Sequence, residues 1–150
     1  MEFFLQYKND AAILLMRLVL GILFFIQGYD KIFGLGLQRT EKGVEEEMRG
    51  TKLPGALIKS ITAISSLVEL LGGCMLIAGF FIYPALILLA LDLLVVVFAM
   101  SLRQPLWDMR FVWPRLVLLI ALLLLPVAYD RFSLDYFFRF YVNSTFIAAH

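Results

Sequence analysis

Glu69 stands near the middle of LIKSITAISSLVELLGGCMLIAGFFIY, residues 57–83, a run long enough to cross a bilayer. About 20 apolar residues, each rising about 1.5 Å, cover a hydrocarbon core of roughly 30 Å. A carboxylate at that depth costs on the order of 2.5–3.5 kcal/mol on insertion scales, so other groups must offset it. Arg17, Asp92 and Arg115 interrupt other apolar runs in the same way, and Lys31 follows the first of those runs. Groups of these types can exchange a proton, polarise a carbonyl or neutralise one another. By helical rise, Arg17 lies about 9 Å from the side that carries the termini, Asp92 about 12 Å and Glu69 about 20 Å. An arginine stem of ordinary length reaches Asp92 and approaches Glu69, while Arg115 comes from the opposite side. The expectation is one constellation of Arg17, Lys31, Glu69, Asp92 and Arg115. Two readings of it stand open. One is a polar cavity that takes a lipid-soluble ligand, with Glu69 or Asp92 exchanging a proton. The other is a closed set of ion pairs that fixes helix register and binds nothing. For Arg17 there is also the alternative of snorkelling to the headgroups.

The elements that would position these residues read as helices throughout: an all-α, integral membrane four-helix bundle forming a single domain, 1–150. The spans are expected at about 11–28, 57–83, 84–100 and 111–129. In the first, Arg17, Gly21, Phe24, Gly28 and Lys31 fall at steps of four, three, four and three, one helical stripe. Small residues on such a stripe let a neighbouring helix approach closely. In the second, Thr62, Ser66, Glu69, Gly73 and Leu76 share a face, with Ser65 and Gly72 beside it. Gly21, Phe24, Gly28, Tyr29, Ser66 and Gly73 are therefore expected to pack around the charged site. Cys74 reads as a small buried apolar residue. Asp92, Val96, Ala99 and Arg103 form a stripe on the third span. Asp10 is a candidate N-cap for the first span, after an interfacial lead-in. Tyr83-Pro84 is expected to turn the chain between the second and third spans. The long first loop, 29–56, holds Glu45-Glu46-Glu47 between Val44 and Met48, which predicts a short surface helix ending at Gly50 or at Leu53-Pro54-Gly55. Trp107 and Trp113 suit an interfacial belt, Pro114 suits a first helical turn, and the aromatic tail, 130–150, is expected along the surface.

Composition narrows the function classes. Sixty-two per cent of the 150 residues are hydrophobic, against roughly 45–50% in a soluble domain. The net charge is +1 with no basic tract, so nothing suggests a nucleic-acid partner. Membrane lipid is the expected surrounding. Cys74 is the single cysteine and His150 the single histidine. That removes an intramolecular disulfide, the usual axial ligand for haem and most metal sites, and neither haem nor a metal is expected. The acids near the N-terminus and Arg17 argue against a cleaved leader. Lysines and arginines outnumber on the loop side, at 31, 39, 42, 49, 52, 59, 103 and 110, against Lys8, Arg131 and Arg139 on the other. The positive-inside rule then puts both termini outside.

RLVLGILFFIQGYDKIFG at 17–34, ELLGGCMLIAGF at 69–80 and RFSLD at 131–135 together resemble the DoxX family of small four-helix membrane proteins. The first resembles the family's arginine, glycine and Gly-x-x-Lys pattern, the second its Glu-x-x-Gly-Gly helix. The matching positions are Arg17, Gly28, Lys31, Glu69, Gly72, Gly73 and Asp135. The resemblance implies a bacterial inner-membrane protein. Some relatives are subunits of a thiosulfate:quinone oxidoreductase, and others associate with redox and thiol enzymes. It therefore implies a quinone- or lipid-binding accessory subunit with a redox or thiol enzyme as partner, not catalytic alone. The rival readings are a small-solute or lipid transporter or binding module, which would need a homo-oligomer for a pathway, and a structural partner protein without a ligand.

Overall fold

The structure is a computed structural model and describes residues 2–103, 112–125 and 130–139. Helices follow one another: α1 (Glu2–Tyr29), continued by a π-helical turn at Asp30–Gly34, then α2 (Leu37–Glu47), α3 (Gly55–Ala78), α4 (Ile82–Arg103) and α5 (Trp113–Leu124), with residues 134–139 helical as well. The fold is an all-α membrane bundle. Among the described residues, three helical stretches are long and apolar enough to cross a membrane: Tyr7–Gly34, Gly55–Ala78 and Ile82–Leu102. The described part of the expected fourth span is the 12-residue α5. The ends expected for that span at Phe111 and Tyr129 lie outside the described residues, as do Trp107, Asp108, Arg110, Pro126 and the tail beyond residue 139.

α1 and α3 run antiparallel as the most extensive helix pair. Glycines make their approach close. A methyl group added at Gly28 would strike the backbone of Leu70, and one at Gly73 would strike the backbone of Phe25. Between helices in lipid there is little hydrophobic drive, so such backbone proximity and dispersion contact supply the association. The expected stripes face inward: Arg17, Gly21, Phe24 and Gly28 on α1, and Thr62, Ser65, Ser66, Glu69, Gly72, Gly73 and Leu76 on α3, are all buried. Thr62 and Ser66 satisfy their hydroxyls by donating to the carbonyls of Ile58 and Thr62 one turn back, each at 2.8 Å. Outward stand Leu15, Ile26, Leu67, Leu71, Leu94 and Phe98, as a lipid-facing surface requires.

Several expectations change. Asp10 does not cap a helix start. α1 already begins at Glu2, and Asp10 is buried within it, 3.6 Å from the Arg131 guanidinium. The turn after α3 falls at Gly79–Phe81, not at Tyr83-Pro84. Gly79 takes φ +71°, and its N–H and that of Phe80 donate back to Leu76 and Met75, closing the helix. Pro84 sits in the first turn of α4, where its missing N–H costs nothing. Cys74 faces outward, because its neighbours Gly72 and Gly73 occupy the packed face. The surface helix of the long loop is present as α2. It ends at Glu47, one turn short of the expected stops, with Gly50 at φ +96° beyond it.

Candidate functional site

Along α3, Gly72 packs on Leu89 of α4 and Gly28 of α1 packs on Leu70. These contacts put Glu69, Asp92 and the end of α1 at one depth. Past the end of α1 the π-helical turn carries Lys31, whose Nζ lies 2.6 Å from Glu69 Oε2. Gln27, four residues earlier and so on the same face, donates from Nε2 to Glu69 Oε1 at 3.0 Å. Glu69 is 2% exposed and has both oxygens occupied. Arg115 of α5 lies over the Phe24 ring, 5.6 Å from its centre, within electrostatic range of Glu69. Asp92 is also within range of Glu69 and of Lys31. It is 8% exposed beside Ser65, yet Asp92 Oδ2 and Ser65 Oγ have no hydrogen-bond partner among the described residues. A buried polar atom left unmet costs on the order of 1–3 kcal/mol; Gln27 Oε1 at this end, and atoms of Asp10, Arg17 and Asp130 at the far end, also lack a hydrogen bond among the described residues.

A cavity of about 150 Å³ opens beside this group between α2, α3 and α4. Val44 of α2 and Met48 just past its end roof it, Ile58, Thr62 and Ser65 of α3 line one wall, and Val96, Ala99 and Met100 of α4 the other. Lys31, Thr40 and Glu47 supply the remaining polar groups. The roof is tied down: Thr40 Oγ1 donates to the Lys31 carbonyl at 3.0 Å, and Glu45 meets Lys59 at 3.3 Å. An apolar chamber with a few convergent polar groups is the usual form of a small-molecule site. A second groove of about 240 Å³ lies between α3 and α4 and shares Ile61, Ser65 and Val95 with the first.

The structure does not bring Arg17 into this site. The expected depth took the first span to begin near Ala11, but α1 starts at Glu2 and is offset against α3, with Gly21 opposite Ile77. Arg17 therefore reaches the α3–α4 turn, about 21 Å along α1 from Lys31. Its guanidinium packs on Gly79 and Ser133 and donates from Nη2 to the Phe132 carbonyl at 3.2 Å. Its ion partner is Asp130, at 3.7 Å, with both side chains buried. Asp135, one of the motif residues, caps α4 from a distance: its carboxylate accepts from the N–H groups of Phe81 and Ile82, each at 2.9 Å. Burial pushes the Asp130 carboxyl above the usual carboxylate range; Arg17 pulls it down, and Asp10 and Asp135 push it up further. At this end of the bundle, α1, the α3–α4 turn and residues 130–135 are held together by these contacts.

Tyr29, expected to pack around the site, is 52% exposed and sits between the Phe25 and Phe33 rings instead. Gly21, Phe24, Gly28, Ser66 and Gly73 are buried within the bundle. Sequence reasoning missed Gln27, whose four-residue spacing to Lys31 was a readable signal, and Asp130, an acid at the border of an apolar run. Ser65 was read only as lying beside the inward face of the second span, and Thr40 had no signal beyond its polarity.

A family model, DoxX, matches residues 12–102, a stretch that runs from α1 through α4 and contains Lys31, Glu69 and Asp92. No curated protein and no solved structure matches the chain.

Proposed function

The chain belongs to the DoxX family, and from that premise we propose that it is a quinone- or lipid-binding accessory subunit of a membrane redox system. The observation that carries the reading is the cavity roofed by α2, with Lys31 at its edge and the Glu69–Asp92 pair beside it. Its size suits one ring-sized head group: a cavity of about 150 Å³ in another protein takes a benzene ring. Lys31 can donate to a carbonyl, and Glu69 holds Lys31 in place. The chain's one cysteine and one histidine offer little for electron transfer, so the reading assigns the redox chemistry to a partner enzyme and gives this chain the ligand.

The test is organic extraction of the protein purified from membranes, followed by mass spectrometry. A lipid-soluble molecule is expected at near one per chain. Ala99→Phe, which pushes a ring into the cavity from α4, is expected to lower its recovery about tenfold, the effect of about 1.4 kcal/mol, at unchanged folded yield. Extraction that repeatedly yields nothing above bulk lipid, or the same amount from Ala99→Phe, contradicts the reading. The tight Glu69–Lys31 bond also favours a second reading, a structural pair with nothing bound. Under it, Glu69→Gln lowers folded yield and has no separate effect on a partner's activity.

For placement, the reading is the bacterial inner membrane with the α2 side in the cytoplasm, since α2 and its flanks carry Lys31, Arg39, Lys42, Arg49, Lys52 and Lys59. In a Cys74→Ser background, a membrane-impermeant thiol reagent added outside is expected to label Phe138→Cys and to spare Lys42→Cys. The reverse pattern contradicts this orientation.

A further inference from the structure

The groove between α3 and α4 has apolar walls of Ile61, Val68, Leu88 and Val95, and two polar side chains, Ser65 and Asp92. Asp92 is more than nine-tenths buried with Ser65 as its polar neighbour, and among the described residues neither Asp92 Oδ2 nor Ser65 Oγ makes a hydrogen bond of ordinary geometry. The charged groups facing Asp92 are Lys31 and Glu69. Lys31 is engaged by Glu69 at 2.6 Å and so leaves Asp92 Oδ2 unmet. The rims of the groove, Ile64, Leu88 and Leu91, stand toward the lipid side of the bundle. The inner end shares Ser65 with the cavity under α2. A molecule arriving from the bilayer through this groove meets an acceptor oxygen before it meets a cation.

We propose that the α3–α4 groove, through Asp92 and Ser65, selects lipid-soluble molecules whose head group carries a hydroxyl donor over counterparts that lack one. The proposal rests on the preceding reading that the bundle holds such a ligand, and adds its chemical class. A carboxyl oxygen in an apolar groove accepts a hydrogen bond that water cannot supply there. A phenol or alcohol supplies it and leaves its tail among Ile61, Leu88 and Val95. An ether leaves Asp92 Oδ2 bare. A phosphate head is disfavoured by the carboxylates of Asp92 and Glu69, since the nearest cation is already paired. For a ligand of the quinone class, the form held at this groove is the hydroquinone, which carries the hydroxyls.

The experiment uses the full chain in lipid nanodiscs with two probes, 4-dodecylphenol and its methyl ether, and reads binding by native mass spectrometry. The wild type is expected to bind the phenol roughly 5- to 150-fold more tightly, the range for leaving one buried acceptor unmet. Asp92→Ala is expected to bring the two probes within about twofold of each other, the scatter tolerated in such comparisons. If Asp92→Ala does not fold, Ser65→Ala, which removes the second polar group of the groove, is expected to narrow the preference. Equal binding of the two probes by the wild type overturns the selection. If Ala99→Phe then abolishes both, the cavity reading stands without it. A preference that survives in both Asp92→Ala and Ser65→Ala also overturns it, and failure of both probes to bind overturns the selection and the cavity reading together.

Discussion

Lys31 and Glu69 meet at 2.6 Å, with Glu69 sealed inside the bundle while Lys31 keeps 23% of its side chain exposed. That asymmetry sets what substitutions do. Removing the lysine or the acid leaves a charge without its partner, which costs roughly 3–5 kcal/mol in buried pairs; the exposure of Lys31 puts the cost at the lower end. Glu69→Leu is expected to lose about 3 kcal/mol in unfolding from mixed micelles. Adding Lys31→Met is expected to recover more than half of that, and Glu69→Gln to cost less than Glu69→Leu, because an amide still accepts from Gln27 and Lys31. Strictly additive losses in the double variant would mean the two side chains are not coupled. At this scale the sequence was legible in part. Charges inside apolar runs marked Glu69, Lys31, Asp92 and Arg115, and the structure places the other three within electrostatic range of Glu69. Arg17 misled because helical rise gives depth only when the start of the helix is known. Its true partner, Asp130, lies 113 positions further along the chain, a pairing that no local spacing encodes.

At the scale of elements, the α1–α3 seam positions the site, since Lys31 reaches Glu69 only if the two helices lie close. Gly28 and Gly73 permit that approach, and neither has room for a side chain. Gly28→Ala and Gly73→Ala are each expected to lower the folded fraction and to weaken whatever the cavity binds. Gly43→Ala is the matched control. It lies on α2 with nothing within 4 Å of an added methyl, so it should be neutral or stabilise by about 0.5–1 kcal/mol through helix propensity. Thermal unfolding in detergent of the three variants checks this; equal effects at all three positions would remove the seam from the account. The stripe spacing made this seam readable in advance. The helix ends were not readable. Gly79 and Asp135 set the α3–α4 turn together, and Asp135 acts across more than 50 residues, whereas the sequence offered Pro84 as a nearer and plainer breaker. Pro84 fits inside the first turn of α4.

Taken whole, the molecule divides its charges between two ends. One end ties α1 and the α3–α4 turn to residues 130–135 through Arg17, Asp130, Asp10, Arg131 and Asp135 and encloses only a small void. The other end carries the π-helical turn, the α2 roof, the cavity beneath it and the α3–α4 groove. Both ends hold buried polar atoms without a hydrogen bond among the described residues, Arg17 and Asp130 at the first and Ser65 and Asp92 at the second, but only the second has a cavity of ring size beside them. Membrane class and helical architecture were legible from composition and periodicity. The cavity was not, because it depends on α2 folding back over α3, which side-chain packing decides. The most direct measurement is an experimental density map of the chain in nanodiscs made from its native lipids. The account predicts non-protein density with its head within hydrogen-bond distance of Lys31 Nζ, Ser65 Oγ or Asp92 Oδ2, and a tail leaving between α3 and α4. A space under α2 filled by side chains, or holding water alone, would contradict it.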